Sequence, residues 1–125
     1  MKLKTTITIF VGMLLMASCV NKDAKNNDTN LVVGGLYLAQ DDDGTYGVSK
    51  ILALEDQGVH VRLYSDKFET KPTDLNSADL KFIIGHVPIG KEGFISSKPE
   101  LLKVEKVTDE ELEGYNYYLE AMKGQ

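Results

Sequence analysis

The amino-acid sequence predicts a mainly β, α+β domain, either a small bent antiparallel sheet or a small barrel, with a C-terminal α-helix along one side. Three observations carry this. Apolar runs of strand length alternate with tight-turn signals such as Asp43-Gly44 and Gln57-Gly58. The run Val59-His60-Val61-Arg62-Leu63-Tyr64 alternates apolar and polar with period two, the mark of a strand with one buried face. Near the C-terminus the apolar spacing becomes helical behind a capping box, Thr108 to Glu111.

Taken in order, Leu31 to Gln40 reads as a first strand, and Asp41-Asp42-Asp43-Gly44 as the hairpin turn after it. The second strand runs from Thr45 to Leu54. Tyr46 and Val48 share one parity, but Lys50 falls on it and Ile51 does not, which predicts a β-bulge and a bend near Ser49-Lys50. Glu55-Asp56-Gln57-Gly58 is the next turn, and Val59 to Tyr64 the third strand. Ser65 to Asp79 is polar and carries Lys71-Pro72, so it reads as an exposed loop long enough to be functional. Leu80 to Ile84 is a fourth strand, closed by Gly85-His86-Val87-Pro88-Ile89, because proline cannot donate to a ladder and marks an edge or a turn. Lys91 to Ser97 forms one helical turn carrying Phe94 and Ile95, and Leu101 to Val107 a last strand.

The final helix spans about residues 108–123. Thr108 caps it, Val107 can staple onto Leu112, acids occupy its first turn, and Lys123 and Gly124 suit its end. Its apolar stripe is Leu112, Tyr115, Leu119 and Met122, with Tyr118 beside it. Gly114, placed on the solvent side, costs about 1 kcal/mol relative to Ala, which leaves a close backbone contact as its reason.

The N-terminus has a different character. Lys2 and Lys4 precede an apolar run from Ile7 to Met16, then the small pair Ala17-Ser18 stands before Cys19. This is the layout of an export signal, and the run is shorter than the roughly 20 apolar residues that a membrane span needs. The segment Leu15-Met16-Ala17-Ser18-Cys19 resembles the lipobox of bacterial lipoproteins, with Met16 where that family usually has Leu. The resemblance implies that residues 1–18 are removed, that the Cys19 thiol carries diacylglycerol, and that Cys19 becomes the mature N-terminus. Two further readings are a signal peptide cut elsewhere with Cys19 left free, and a short hydrophobic helix. With about 0.8 kcal/mol per buried CH₂, two or three acyl chains anchor durably. Val20 after the cysteine, rather than Asp, points to the outer membrane where the host has two. Residues 19–30 then form the lipidated cysteine and a disordered tether, since 21–30 hold no apolar residue larger than Ala. The folded domain is 31–125.

Composition removes several functions. Lys plus Arg number 14 against 19 Asp plus Glu, a formal charge of −5, which argues against a phosphate-backbone partner. One Cys and two His exclude a disulfide framework and a His/Cys metal cage. An EF-hand reading of Asp41 to Gly44 puts Ala39 and Lys50 at ligand positions, so a plain hairpin turn is expected there, with weak surface cation binding as the alternative. Ser49, Ser65, Ser77, Ser96 and Ser97 lack the glycine context of a nucleophile elbow, and Gly34-Gly35 does not open a phosphate-binding helix. No cofactor and no catalysis are expected.

Recognition remains. Tyr37, His60, Arg62 and Tyr64 are placed on one non-core parity of adjacent strands, and Tyr and Arg are the types that anchor interfaces. If Tyr115 and Tyr118 pack on that face, these residues are core; if the helix packs elsewhere, they form an exposed patch. The hairpin of Tyr46 to Leu54 and Val59 to Tyr64 resembles the centre of SH3-like and Tudor-like barrels. The blocks D-G-T-Y-G-V, V-H-V-R-L-Y, G-H-V-P-I and V-T-D-E-E-L-E-G-Y are similar to those of a group of small uncharacterised bacterial proteins, which implies no function. The expectation is a non-catalytic, lipid-anchored envelope protein that binds another protein or a cell-wall component, with membrane contact through its lipid. The alternative is an immunity or inhibitor protein presenting carboxylates to a basic active site.

Overall fold

Strand pairing begins at a glycine turn rather than at Leu31. Gly34 has φ +88°, and a Cβ there would stand 2.1 Å from the Glu105 carbonyl oxygen. Only glycine allows that conformation and that approach together. The computed structural model describes residues 31–124, so the expected signal, Cys19 and tether lie outside the described residues. The strands are β1 (Gly35–Gln40), β2 (Tyr46–Leu54), β3 (Gly58–Tyr64), β4 (Phe82–Gly90) and β5 (Glu100–Val104). Between β4 and β5 lies α1 (Lys91–Ser96), and α2 (Glu113–Lys123) follows β5.

The fold is mainly β, as expected, and the sheet is open. Its order is β4-β3-β2-β1-β5 and every pairing is antiparallel, so β4 and β5 are edges and no barrel closes. Asp41 to Gly44 makes the β1–β2 turn: Gly44 has φ +90° and donates to the Asp41 carbonyl at 2.9 Å, while the Asp43 carboxylate accepts from the Thr45 amide and hydroxyl at 2.9 and 2.7 Å. The expected bulge exists but is displaced. Lys50 faces Arg62, Ile51 faces Val61, and Ala53 faces His60, so the extra residue is Leu52. Lys50 therefore keeps the parity of Val48.

Each face carries its own core. On the first, Tyr37, Ile51, Val59 and Val61 pack with Phe94 of α1, whose ring meets Tyr37 edge-on at 5.5 Å. On the second, Leu36, Leu38, Val48 and Tyr64 are covered by Phe68, Leu75, Leu80 and Leu102. The segment 65–79 is exposed along most of its length, as expected, and touches the second face through Phe68 and Leu75. It is clipped there by Phe68, which exchanges backbone hydrogen bonds of 2.8 and 3.0 Å with Tyr46. The fourth strand is longer than its sequence implies and runs through Pro88 to Gly90. An edge strand tolerates a proline because its outer side has no ladder to break.

The capping box forms: the Glu111 amide donates to Thr108 Oγ1 at 3.1 Å and the Thr108 amide to Glu111 Oε1 at 2.9 Å. Residues 109–112 make a turn, and regular helix starts at Glu113. Leu119 and Met122 of the expected stripe are 37% and 49% exposed. Tyr115 and Tyr118 dock α2 instead. Gly114 faces inward, not to solvent, since a Cβ would meet the His86 Cβ at 2.8 Å. No helix among the described residues is long and apolar enough to cross a membrane.

Candidate functional site

The second face is where strand alternation delivers polar side chains into the interior. Lys50 and His60 are 1% and 0% exposed, the two buried polar side chains among the described residues. A buried ammonium requires compensation for lost hydration, and Lys50 receives it from the segment after β5. Its Nζ donates to Glu105 Oε1 at 3.1 Å, to the Lys106 carbonyl at 2.9 Å, and to both Glu111 oxygens at 3.0 and 3.1 Å. The carboxylates are held in turn. Glu105 accepts from the Ser77 amide at 3.0 Å and from the Ser77 hydroxyl, and Glu111 closes the capping box.

Burial pushes the Glu105 carboxyl up, but the two Ser77 donors and the Lys50 ammonium outweigh it and hold the group below its ordinary value. Glu111 is held low in the same way, burial being outweighed by the Thr108 amide and Lys50. The cluster forms one wall of a cavity of about 630 Å³ lined by Arg62, Tyr64, Leu80 and Phe82. Arg62 lies over the Phe82 ring at 4.1 Å, and its Nε donates to the Gly85 carbonyl at 3.4 Å. No carboxylate of the described residues comes within 4.0 Å of its guanidinium, although Glu111 is near enough to feel its charge. Tyr64 is 5% exposed. Its hydroxyl is buried and stands near Ser77 outside hydrogen-bond geometry, and burial pushes its pKa up to about 12.

His60 occupies the other end of the face. Its ring stacks on His86 with a Nδ1 to Nε2 separation of 2.9 Å, so one ring donates and the other accepts. Tyr115 and Tyr118 close over it with ring centroids at 4.7 and 4.9 Å. Its Nε2 lies 3.3 Å from Glu55 Oε1 without the alignment of a hydrogen bond. Burial, with the neighbouring His60 second, lowers the His86 pKa.

Of the candidates read from sequence, His60, Arg62 and Tyr64 share this face, with His60 under the helix and the other two lining the cavity. Tyr37 does not join them. The register pairs it with Ser49, and its ring belongs to the opposite core, with its hydroxyl accepting from the Val32 amide at 3.0 Å. Cys19 lies outside the described residues. Sequence reasoning missed Lys50, Glu105 and Glu111 as a unit. The signal is Lys50 on the parity of Val48, which in the sequence alone reads as a bulge. No three or more His, Cys, Asp or Glu among the described residues are grouped to hold a metal ion. Compared with known proteins, the chain matches no family model, no curated protein and no solved structure.

Proposed function

We propose that this chain is a lipid-anchored protein of the cell envelope, fixed through Cys19, whose β domain is a non-catalytic module that binds another protein along β4. The lipobox-like segment Leu15 to Cys19 supports the anchor. The observation that carries the binding role is the outer edge of the sheet. Phe82, Ile83 and Ile84 are consecutive, large and apolar, and they are 52%, 64% and 39% exposed on an edge strand. An uncovered apolar edge is a template for another strand, and an extended segment of a partner gains main-chain hydrogen bonds and apolar contact by adding to it. The register shift between Leu63 and Tyr64 leaves Ile83 without a cross-strand partner, so its side chain is available to such a segment.

The test is a crosslinked capture from native envelopes with the wild-type chain, Cys19→Ala and Ile83→Lys, read by mass spectrometry. The expected result is a set of envelope proteins captured by wild type and lost with either variant. Capture that survives Ile83→Lys rejects the edge. One dominant basic partner released by salt makes the protein an inhibitor instead, because that is the behaviour of charge-steered association.

A further inference from the structure

We propose that the cavity between β3, β4 and the 105–111 segment is a binding site for a carboxylate carried on an apolar stem, held by Arg62 and Tyr64. The hydrogen-bonding inventory supports this. All three Lys50 donors are used, both oxygens of Glu105 and of Glu111 are occupied, and the Ser77 hydroxyl is committed to Glu105. Among the groups this leaves unused are the outer part of the Arg62 guanidinium, oriented by its ring contact with Phe82, and the Tyr64 hydroxyl, buried without a hydrogen-bonding partner, while Asn76, Lys106 and Glu110 line the rest of the cavity.

Arg62 and Tyr64 are two apart on one strand and project on the same side, roughly 7 Å apart along it. That spacing lets one carboxylate accept from a guanidinium N–H and a phenol O–H. A guanidinium already positioned on an aromatic ring loses little freedom when it pairs, and carboxylate geometry suits its fork. The walls decide the rest of the ligand. Leu80 and Phe82 are apolar, and about 630 Å³ is far more than a carboxylate fills, so an apolar stem has surface to cover. Glu105, Glu110 and Glu111 line the same cavity and balance Lys50, Arg62 and Lys106, so the wall has no net positive charge to hold a second negative one, which favours a carboxylate over phosphate. The carboxylate can belong to a free organic acid or to the last residue of a peptide.

The proposal shares Phe82 with the β4 edge reading, but it needs no partner protein, and Ile83 takes no part in it. The test is a nuclear magnetic resonance titration of the full chain in detergent micelles, following the Arg62 side-chain N–H and the Tyr64 ring. The probes are N-acetylphenylalanine, its amide, a short glycine peptide ending in phenylalanine with a free carboxylate, and inorganic phosphate. Either carboxylate probe should saturate both signals while the amide and phosphate do not, and the tighter of the two identifies the source. Arg62→Gln should weaken binding roughly ten- to a hundred-fold, as expected for a hydrogen bond to a charged group, and Tyr64→Phe about three- to ten-fold. Tyr64→Phe keeps the ring and its packing, so it reports on the site even if Arg62→Gln disturbs folding. No saturable shift, an equal response to the amide, stronger binding of phosphate, or unchanged affinity in both variants overturns the proposal. If carboxylate binding fails while envelope capture stays sensitive to Ile83→Lys, the site alone is rejected.

Discussion

Lys50 and Ile51 are neighbours in sequence and opposites in every other respect. Ile51 enters the first face, where Val59, Val61, Tyr37 and Phe94 meet it and apolar contact is all that is required. Lys50 enters the second face, where its ammonium is enclosed by two carboxylates and a carbonyl contributed by residues 105–111. The first face is stabilised by area removed from water, which tolerates approximate fits. The second is specified by partners, which it must find or lose stability. This difference explains how the C-terminal segment is attached: α2 buries none of its own residues fully, so its position depends on the Lys50 cluster at one end and the His60–His86 stack at the other.

The comparison is tested most severely by removing the cation. Lys50→Met leaves Glu105 and Glu111 facing each other without it, and breaking a buried ion pair from one side costs about 3–5 kcal/mol. Urea unfolding at pH 7 should show that loss, and a loss below 1 kcal/mol would mean that the cluster is no more than a tolerated polar inclusion. Ile51→Ala is the matched change on the first face, expected to cost about 3 kcal/mol for the lost transfer and the cavity left behind. The two should separate as pH falls. Both carboxyls are held below their ordinary 4.5, so the stability they provide is fully present above 4.5 and is lost as pH drops through their folded values. The Lys50→Met deficit should therefore shrink below pH 4.5, and the Ile51→Ala deficit should not.

The helix end has a higher window. Burial, and then the proximity of His60, holds His86 below its ordinary 6.5, so its neutral form favours the fold. That contribution is present above pH 6.5 and is lost as pH falls through the lowered value, because the unfolded chain takes the proton first. The groups around it are His60 on β3, Tyr115 and Tyr118 on α2, and Glu55 beside His60. Protection of the amides along 113–123, taken relative to the intrinsic exchange rate at each pH, should fall as pH is lowered from 7 towards 5, while protection in β1, β2 and β3 stays high. His86→Phe, which keeps an aromatic ring against the tyrosines, should abolish that pH dependence. If the strands loosen together with the helix, the two attachments are not separable.

The same contrast sets what could be read from the sequence. The first face was legible, because Val59, Val61 and Leu63 alternate and the Phe94 turn follows apolar spacing. Turns and the Thr108–Glu111 box were legible because their chemistry is local. The second face was not, because its logic lies between residues 50 and 105–111, which no local pattern links. A lysine on an apolar parity was read as a shift of register, and the actual bulge, at Leu52, left that lysine inside. Tyr37 was assigned to the wrong face for a related reason: parity within β1 does not say which side is which until its register with Ser49 is known. The loop 65–79 is exposed along most of its length, as expected, and its contact with the second face was not legible because its two apolar anchors, Phe68 and Leu75, are widely spaced among polar residues.

The finest test of the comparison is a single oxygen. Tyr64 packs its ring with Leu36, Leu38 and Val48 as a residue of the first face would, yet its hydroxyl is buried behind the wall of the polar cavity without a hydrogen bond. If polar partnering governs this face, an unpartnered hydroxyl is a cost that folding bears, and removing it should leave stability unchanged or raise it by up to about 1 kcal/mol. Tyr64→Phe should therefore melt at or above the wild-type temperature in the absence of ligand. Loss of stability would mean that the hydroxyl has a partner in solution, with Ser77 the nearest candidate, and would remove the vacancy on which carboxylate binding depends. A gain in stability combined with weaker carboxylate binding would assign the hydroxyl to the ligand, since a group that costs the fold and strengthens the complex is placed by function.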